Sequence, residues 1–236
     1  MSKQADIYHL IVADLIGARY RFGDRILVKE LAASTGNSRQ PIMAALGRLA
    51  VDGFVQIVPQ VGCQVVNPDR NAIADFYLMF GRIEGLLTEL AAERRDARDL
   101  RQLTDLHRQI IAFTQDTATI HPDYRELNQQ FHQMIHDMAR SPLIDERQHS
   151  LFNMSDFFIS QSAGFGAMQV NGLREHDEIV EAIARQSTAG ARYAAEAHIA
   201  SVSATVLSGL ALALAADEDE GSSARARRLR VAGAAG

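Results

Sequence analysis

Apolar and polar positions alternate with helical spacing through the first quarter of the chain. Ile7, Leu10, Ile11 and Leu15 share one face of a helix predicted over residues 5–18. Leu31 and Ala32 mark the inner face of a short second helix. Gly36-Asn37 breaks it, because both residues tolerate the left-handed backbone of a helix stop. Ser38 is placed to cap a third helix, which carries Ile42, Ala45, Leu46 and Leu49 at i, i+3, i+4 and i+7. Gly53 ends that helix, and residues 54–58 and 62–66 then alternate like two paired strands. Short helices joined by a tight turn and followed by a hairpin are the layout of a winged helix-turn-helix. The second helix of that motif enters the DNA major groove, with its N-terminal residues on base edges.

Asn67-Pro68-Asp69 makes a natural boundary, since proline disfavours helix before it. Beyond it the pattern predicts only helices, near 71–94, 97–116, 122–140, 142–162, 171–187 and 190–216. The expected breaks are Asp96, Thr117 to Pro122, Ser141-Pro142, Gly164 to Gly172 and Gly190. Short connections between successive helices imply an antiparallel α-helical bundle. The fold class is therefore mostly α: a winged helix-turn-helix over residues 1–67, then a helical domain over 70–216. The tail 217–236 sets four acidic residues before an Arg-rich block without periodicity, and is expected to be disordered.

Composition adds little until the chain is divided. The 236 residues carry a formal net charge of −5, which on its face argues against a nucleic-acid partner. Residues 1–65, however, hold seven Lys/Arg against five Asp/Glu, whereas residues 66–216 hold thirteen against twenty. A mildly basic module attached to an acidic body fits duplex binding through the module alone. The longest apolar run, near residues 206–216, is short and Ala-rich, so no membrane span is expected. The N-terminus MSKQADIYHL lacks the basic segment and apolar core of a signal peptide. Cys63 is the single cysteine, which excludes an intrachain disulfide and fits a cytoplasmic location.

Gly23-Asp24-Arg25, Glu30-Leu31-Ala32, Ser38-Arg39 with Pro41, Ala45-Leu46, and Leu49 with Asp52-Gly53 together resemble the N-terminal domain of GntR-type bacterial transcription regulators. The resemblance spans roughly residues 5–66. It implies a homodimer that places two recognition helices on a palindromic operator in double-stranded DNA. Arg39 is the foremost candidate base reader, because a guanidinium can bond guanine bidentately. Ser38 and Gln40 are placed for phosphate or base edges, and Gly62 at the wing tip for close backbone approach. Lys29 matches a position that often carries a basic contact in the family. Met43 and Ala44 stand where the family usually has Arg-Glu, so one common guanine contact is missing and the operator should differ from the usual one or be bound more weakly.

A second constellation lies in the helical body. His132 follows Asn128 by one helical turn, and His176 and His198 each sit on the apolar face of a separate predicted helix. Three imidazoles from three helices can converge in a bundle and suit zinc, nickel or another divalent transition ion. A solitary histidine on an apolar face is more often a hydrogen-bonded core residue, so the grouping carries the inference. These positions resemble the FCD (FadR C-terminal) effector domain, where Asp-x-x-x-His and two further histidines hold a metal that helps bind a carboxylate effector. The resemblance implies the ligand set Asn128, His132, His176 and His198, with Asn in place of the usual Asp. His136 is expected to line the same cavity; His9, His107, His121 and His149 read as surface residues. Phe80 stands where the family has an effector-binding Arg and Arg82 is offset from it, so either the effector is less acidic than usual or another residue, such as Arg125 or Arg174, is expected to anchor it. Phe76, Met79, Met134, Met138, Phe157 and Phe158 read as core and dimer packing.

The expected function is a ligand-responsive repressor that senses a small organic acid. One alternative is a sensor of the metal ion itself, and another is a metal-dependent enzyme fused to a DNA-binding module. The sequence offers no nucleophile or general base beside the histidines, since Glu175 and Asp177 are expected to point outward.

Overall fold

The computed structural model describes residues 3–58, 62–115, 124–162 and 164–233, without the side chains of 113–115, 146–147, 169–171 and 213–233. Helix α1 (Lys3–Ile16), α2 (Val28–Thr35) and α3 (Arg39–Val51) pack around Ile11, Leu15, Ile42, Leu46 and Leu49, all fully buried or nearly so. Gly36 closes α2 at φ 66° and Gly53 follows α3 at φ 87°, left-handed conformations that favour glycine at both stops. The wing strands β2 (Val55–Val58) and β3 (Gly62–Val65) pair antiparallel, with Val55 opposite Val65 and Val58 opposite Gly62. A strand the apolar pattern does not announce, β1 (Arg25–Ile26), adds to the far edge of β3 and gives the order β1-β3-β2. Two residues are too few for alternation to register.

The body is helical throughout its described residues: α4 (Arg70–Arg94), α5 (Ala97–Gln115), α6 (Tyr124–Ala139), α7 (Pro142–Gln161), α8 (Gly166–Ala184) and α9 (Thr188–Gly233). Asp69 caps α4 by accepting the Ala72 N–H at 2.8 Å. The expected break at Thr117 to Pro122 and the surface reading of His121 lie outside the described residues. Helix α8 begins at Gly166 rather than near 171, and Met168 in its first turn packs on the larger core. Tertiary packing there outweighs the glycines that mark a break in the sequence. Helix α9 continues to Gly233, where a disordered tail is expected; Ala, Glu and Arg favour helix and no proline interrupts them.

Helices α4 and α9 approach closely because Gly85 has no side chain: a Cβ there would lie 2.7 Å from Glu196 Cγ. By length and composition alone, Thr188–Leu212 of α9 is apolar enough to cross a membrane, a longer stretch than the run expected from sequence. Its inner face, with Ala191, Ala195, Ile199 and Val206, is buried in the protein core.

The winged domain is seated on α7. The Phe157 ring lies 5.3 Å from Phe22 and 6.0 Å from Phe54, edge-on or tilted to each. The Gln161 carboxamide accepts the Phe22 N–H and donates to the Tyr20 carbonyl, both at 3.2 Å. One continuous apolar core thus joins the wing, α4 and α7.

Candidate metal centre and nucleic-acid interface

Four of the candidate DNA-contact side chains, Lys29, Ser38, Arg39 and Gln40, are exposed, and Gly62 is exposed at φ 109°. Ser38 occupies the N-cap of α3 but makes no side-chain capping bond, so its hydroxyl stays available. The two arginines of α3 differ in kind. Arg48 sits over the Tyr8 ring, 4.4 Å from its centroid, and lies 3.8 Å from Asp52. Arg39 opens the helix at the end that would face DNA. Met43 is half-buried and Ala44 exposed, so the positions where the family carries Arg-Glu present no charge.

In the body, α6 delivers His132, α8 delivers His176 and α9 delivers His198, each from its buried face. One nitrogen from each of these three lies within 4.8 Å of the others. Outer carboxylates fix two of the rings. His132 Nδ1 donates to Glu84 Oε2 at 3.1 Å, and His198 Nδ1 donates to Glu175 Oε2 at 2.8 Å. Each ring thereby keeps its Nε2 lone pair for the shared space. His176 is 0 % exposed, and neither of its nitrogens has a hydrogen-bond partner. Its ring stacks on Phe131 at 4.2 Å and 14°, which sets the ring plane.

Burial holds the His176 imidazole well below its ordinary range, and the neighbouring His198, His132 and His107 add to the effect. Burial also lowers His132, although Glu84 pulls the other way. Burial opposes charge on Glu84, but His136 and His132 outweigh it and keep the carboxylate ionised. Imidazole nitrogens facing a common space, backed by carboxylates, are the donors a divalent transition ion takes. An orphaned buried imidazole costs roughly 1–3 kcal/mol when no ligand satisfies it. The residues present therefore fit such an ion. Asn128 lines a cavity of about 30 Å³ beside His198, with Arg125, Asp156, Tyr124 and Phe165 on its walls. That volume holds two or three waters at ~10–15 Å³ each, not a metabolite.

The candidate effector residues scatter. Arg125 is in place: its Nε donates to Asp156 Oδ2 at 2.7 Å, on the wall of the Asn128 cavity. His136 is buried against Glu84 Oε1 at 2.8 Å and lines a neighbouring cavity of about 170 Å³ with Gln129, Gln133 and His149. Phe80 is a buried core residue stacked on Phe76. Arg82 pairs with Glu196 along the outer groove between α4 and α9, and Arg174 is exposed beside Glu178. Helix phase explains both arginines, since neither lies on the buried stripe of its helix.

Two expectations about polar side chains are corrected. His107 is buried rather than on the surface, and its Nε2 donates to Asp177 at 2.7 Å. Glu175 turns toward His198 instead of outward. Sequence reasoning passed over Glu84 and Asp156, the buried carboxylates behind the site. The signal was present for Glu84, which continues the apolar stripe of Phe80 and Leu87.

Asp156 gives a pH prediction. Burial raises its carboxyl from 3.8 to about 6, against the opposing pull of Arg125 and Gln129. A folded-state pKa above the unfolded one means stability that is full below about pH 4 and is lost as pH rises through about 6. Urea unfolding should show the wild type losing ~1–3 kcal/mol relative to Asp156→Asn between about pH 4 and pH 7. Parallel pH profiles for the two proteins would contradict it. Across the cavity the charged or titratable neighbours are Arg125, Tyr124 and His198.

Residues 3–65 match the bacterial regulatory proteins of the gntR family, and residues 75–201 match the FCD domain. The chain is 24% identical over 197 residues to the HTH-type transcriptional regulator YdhC of Bacillus subtilis (strain 168), covering 81% of this chain and 85% of that protein. It is 25% identical over 201 residues to the HTH-type transcriptional repressor RspR of Escherichia coli (strain K12), covering 85% and 87%. The structure of E. coli McbR/YncC is similar with TM-score 0.71 and 16% identity, over 87% of this chain and 97% of that one.

Proposed function

Since the chain belongs to the GntR family of bacterial transcription regulators and carries an FCD domain, we infer that it is a homodimeric repressor released from its operator by a small carboxylate bound at a metal-containing pocket. Its relatives are regulators rather than enzymes, which sets the metalloenzyme alternative aside. RspR is named a repressor, which favours that sign here.

The observation that carries this reading is His176, buried and unpaired on both nitrogens, within reach of His132 and His198. A divalent ion held by those three, with Asn128 beside them, supplies positive charge for a carboxylate. Arg125 supplies a guanidinium on the same wall, and an incoming carboxylate competes with Asp156 for it. A metabolite needs a cavity of roughly 300 Å³ or more, so its entry must part α6, α7 and α9. Asp156 and Phe157 are neighbours on α7, the first facing the cavity and the second packed on Phe22 and Phe54 of the winged domain. Displacing Asp156 therefore moves the seat of the DNA-binding module. By linkage, operator and effector must weaken one another equally.

A thermal-shift screen of small mono-, di- and tricarboxylates, with zinc or nickel and again with EDTA, tests the reading. The expected result is stabilisation by one acid class that requires the metal. Stabilisation by metal with no response to any acid would instead favour the metal-ion sensor. No response to metal or acid would overturn both.

A further inference from the structure

His107 is the buried histidine that neither the metal set nor the effector pocket uses. Its side chain projects from α5 into the core, 6.0 Å from the His176 ring and 5.8 Å from Phe131, centroid to centroid. Its Nε2 is committed to Asp177 Oδ1 at 2.7 Å. A carboxylate only accepts, so Nε2 is the donor to Asp177 and Nδ1 is the ring nitrogen left to accept. That Nδ1 is buried and has no partner. His176 has the complementary need. Once one of its nitrogens gives a lone pair to an ion, the other must carry a proton and is left in the core without an acceptor.

We propose that His107 is the positioning residue for His176: its Nδ1 accepts the N–H that metal ligation leaves on His176, making a chain from Asp177 through His107 to the ligand. This rests on the metal reading above. The three buried nitrogens that lack partners on these two rings are accounted for together, one by the ion and two by each other. Stacking on Phe131 fixes the plane of His176, and the bond to His107 fixes its rotation within that plane. Asp177 acts from a distance by choosing the tautomer. It is well placed to do so without being part of the core, since its side chain is 58 % exposed. His132 and His198 are oriented in the same way by Glu84 and Glu175. On this assignment each of the three imidazoles has an outer partner, as metal-bound histidines generally do.

The test is zinc and nickel affinity of the full-length protein, measured by competition with a chromophoric chelator, with the cobalt-substituted visible spectrum as a second readout. His107→Phe fills the space without an acceptor and should weaken metal binding by about 10- to 100-fold. His107→Asn, which places an amide oxygen near the Nδ1 position, should recover most of that loss and restore the cobalt spectrum. Asp177→Asn leaves the core intact, and its amide can donate to Nε2, moving the ring proton to Nδ1. It should weaken binding in the same direction, and it keeps the proposal testable if His107→Phe does not fold. Metal affinity and cobalt spectra unchanged in Asp177→Asn and in a folded His107→Phe would overturn the proposal, while loss of binding in His176→Ala would leave the metal reading standing. A wild-type protein that binds neither metal would overturn both.

Discussion

Arg39→Ala should reduce operator affinity by at least an order of magnitude while leaving the fold intact. Arg39 is the first residue of α3, exposed, and among the described residues it has no ion pair or hydrogen bond to lose. A bidentate arginine–guanine pair is worth about 1–3 kcal/mol of discrimination, and a palindromic site engages one such residue in each half. The combined effect is therefore ~2–6 kcal/mol, or roughly 30-fold upward. Binding to unrelated duplex should change far less, because it rests on phosphate charge. Arg48→Ala is the informative contrast. Its guanidinium lies over Tyr8 and near Asp52, so its loss should register in thermal stability. Equal operator affinity for wild type and Arg39→Ala, measured by fluorescence anisotropy, would refute the assignment of Arg39.

The second large effect is thermal. Protein stripped with a chelator and then supplied with zinc or nickel at roughly 100 times its Kd should gain about 2.7 kcal/mol, because the ion binds only the assembled site. For a chain of this size that is a rise in Tm of about 5–10 °C. His176→Leu should abolish the rise. In the metal-free state the same variant should be at least as stable as the wild type, because the orphaned imidazole is removed and the volume kept. A histidine serving only as a core residue would give the opposite sign, with the variant less stable whether or not metal is present. Differential scanning calorimetry of both proteins with EDTA and with metal separates the two cases.

Most of the winged domain was legible because its signals are local. Gly36, Gly53 and the apolar stripe of α3 each act within a turn or two, and the structure places them as the spacing predicts. The bundle was legible for the same reason in α4 to α7, where boundaries differ by only a residue or two. Beyond the reach of sequence were the facts set by distant partners. His107 follows Leu103 and precedes Ile110 on one buried stripe, so its burial was readable, but its bond to Asp177 on α8 was not. Glu175 looked solvent-facing until α9 brought His198 against it. The three candidate ligands converge because α6, α8 and α9 face inward together. The candidate effector residues lie apart: Arg82 lines the groove between α4 and α9, Arg174 is exposed beside Glu178, and Arg125 stands on the Asn128 cavity through its bond to Asp156 on another helix.

In the proposed function, a pocket in the helical body governs the grip of the winged domain on DNA. The most direct measurement is anisotropy of a duplex from the protein's own promoter, titrated with zinc-loaded protein in the presence of each small carboxylate. The expected result is tight binding that one acid class weakens by roughly 5- to 150-fold, an effect that vanishes with EDTA. Affinity that is the same under every condition, or no affinity for that duplex at all, would contradict it.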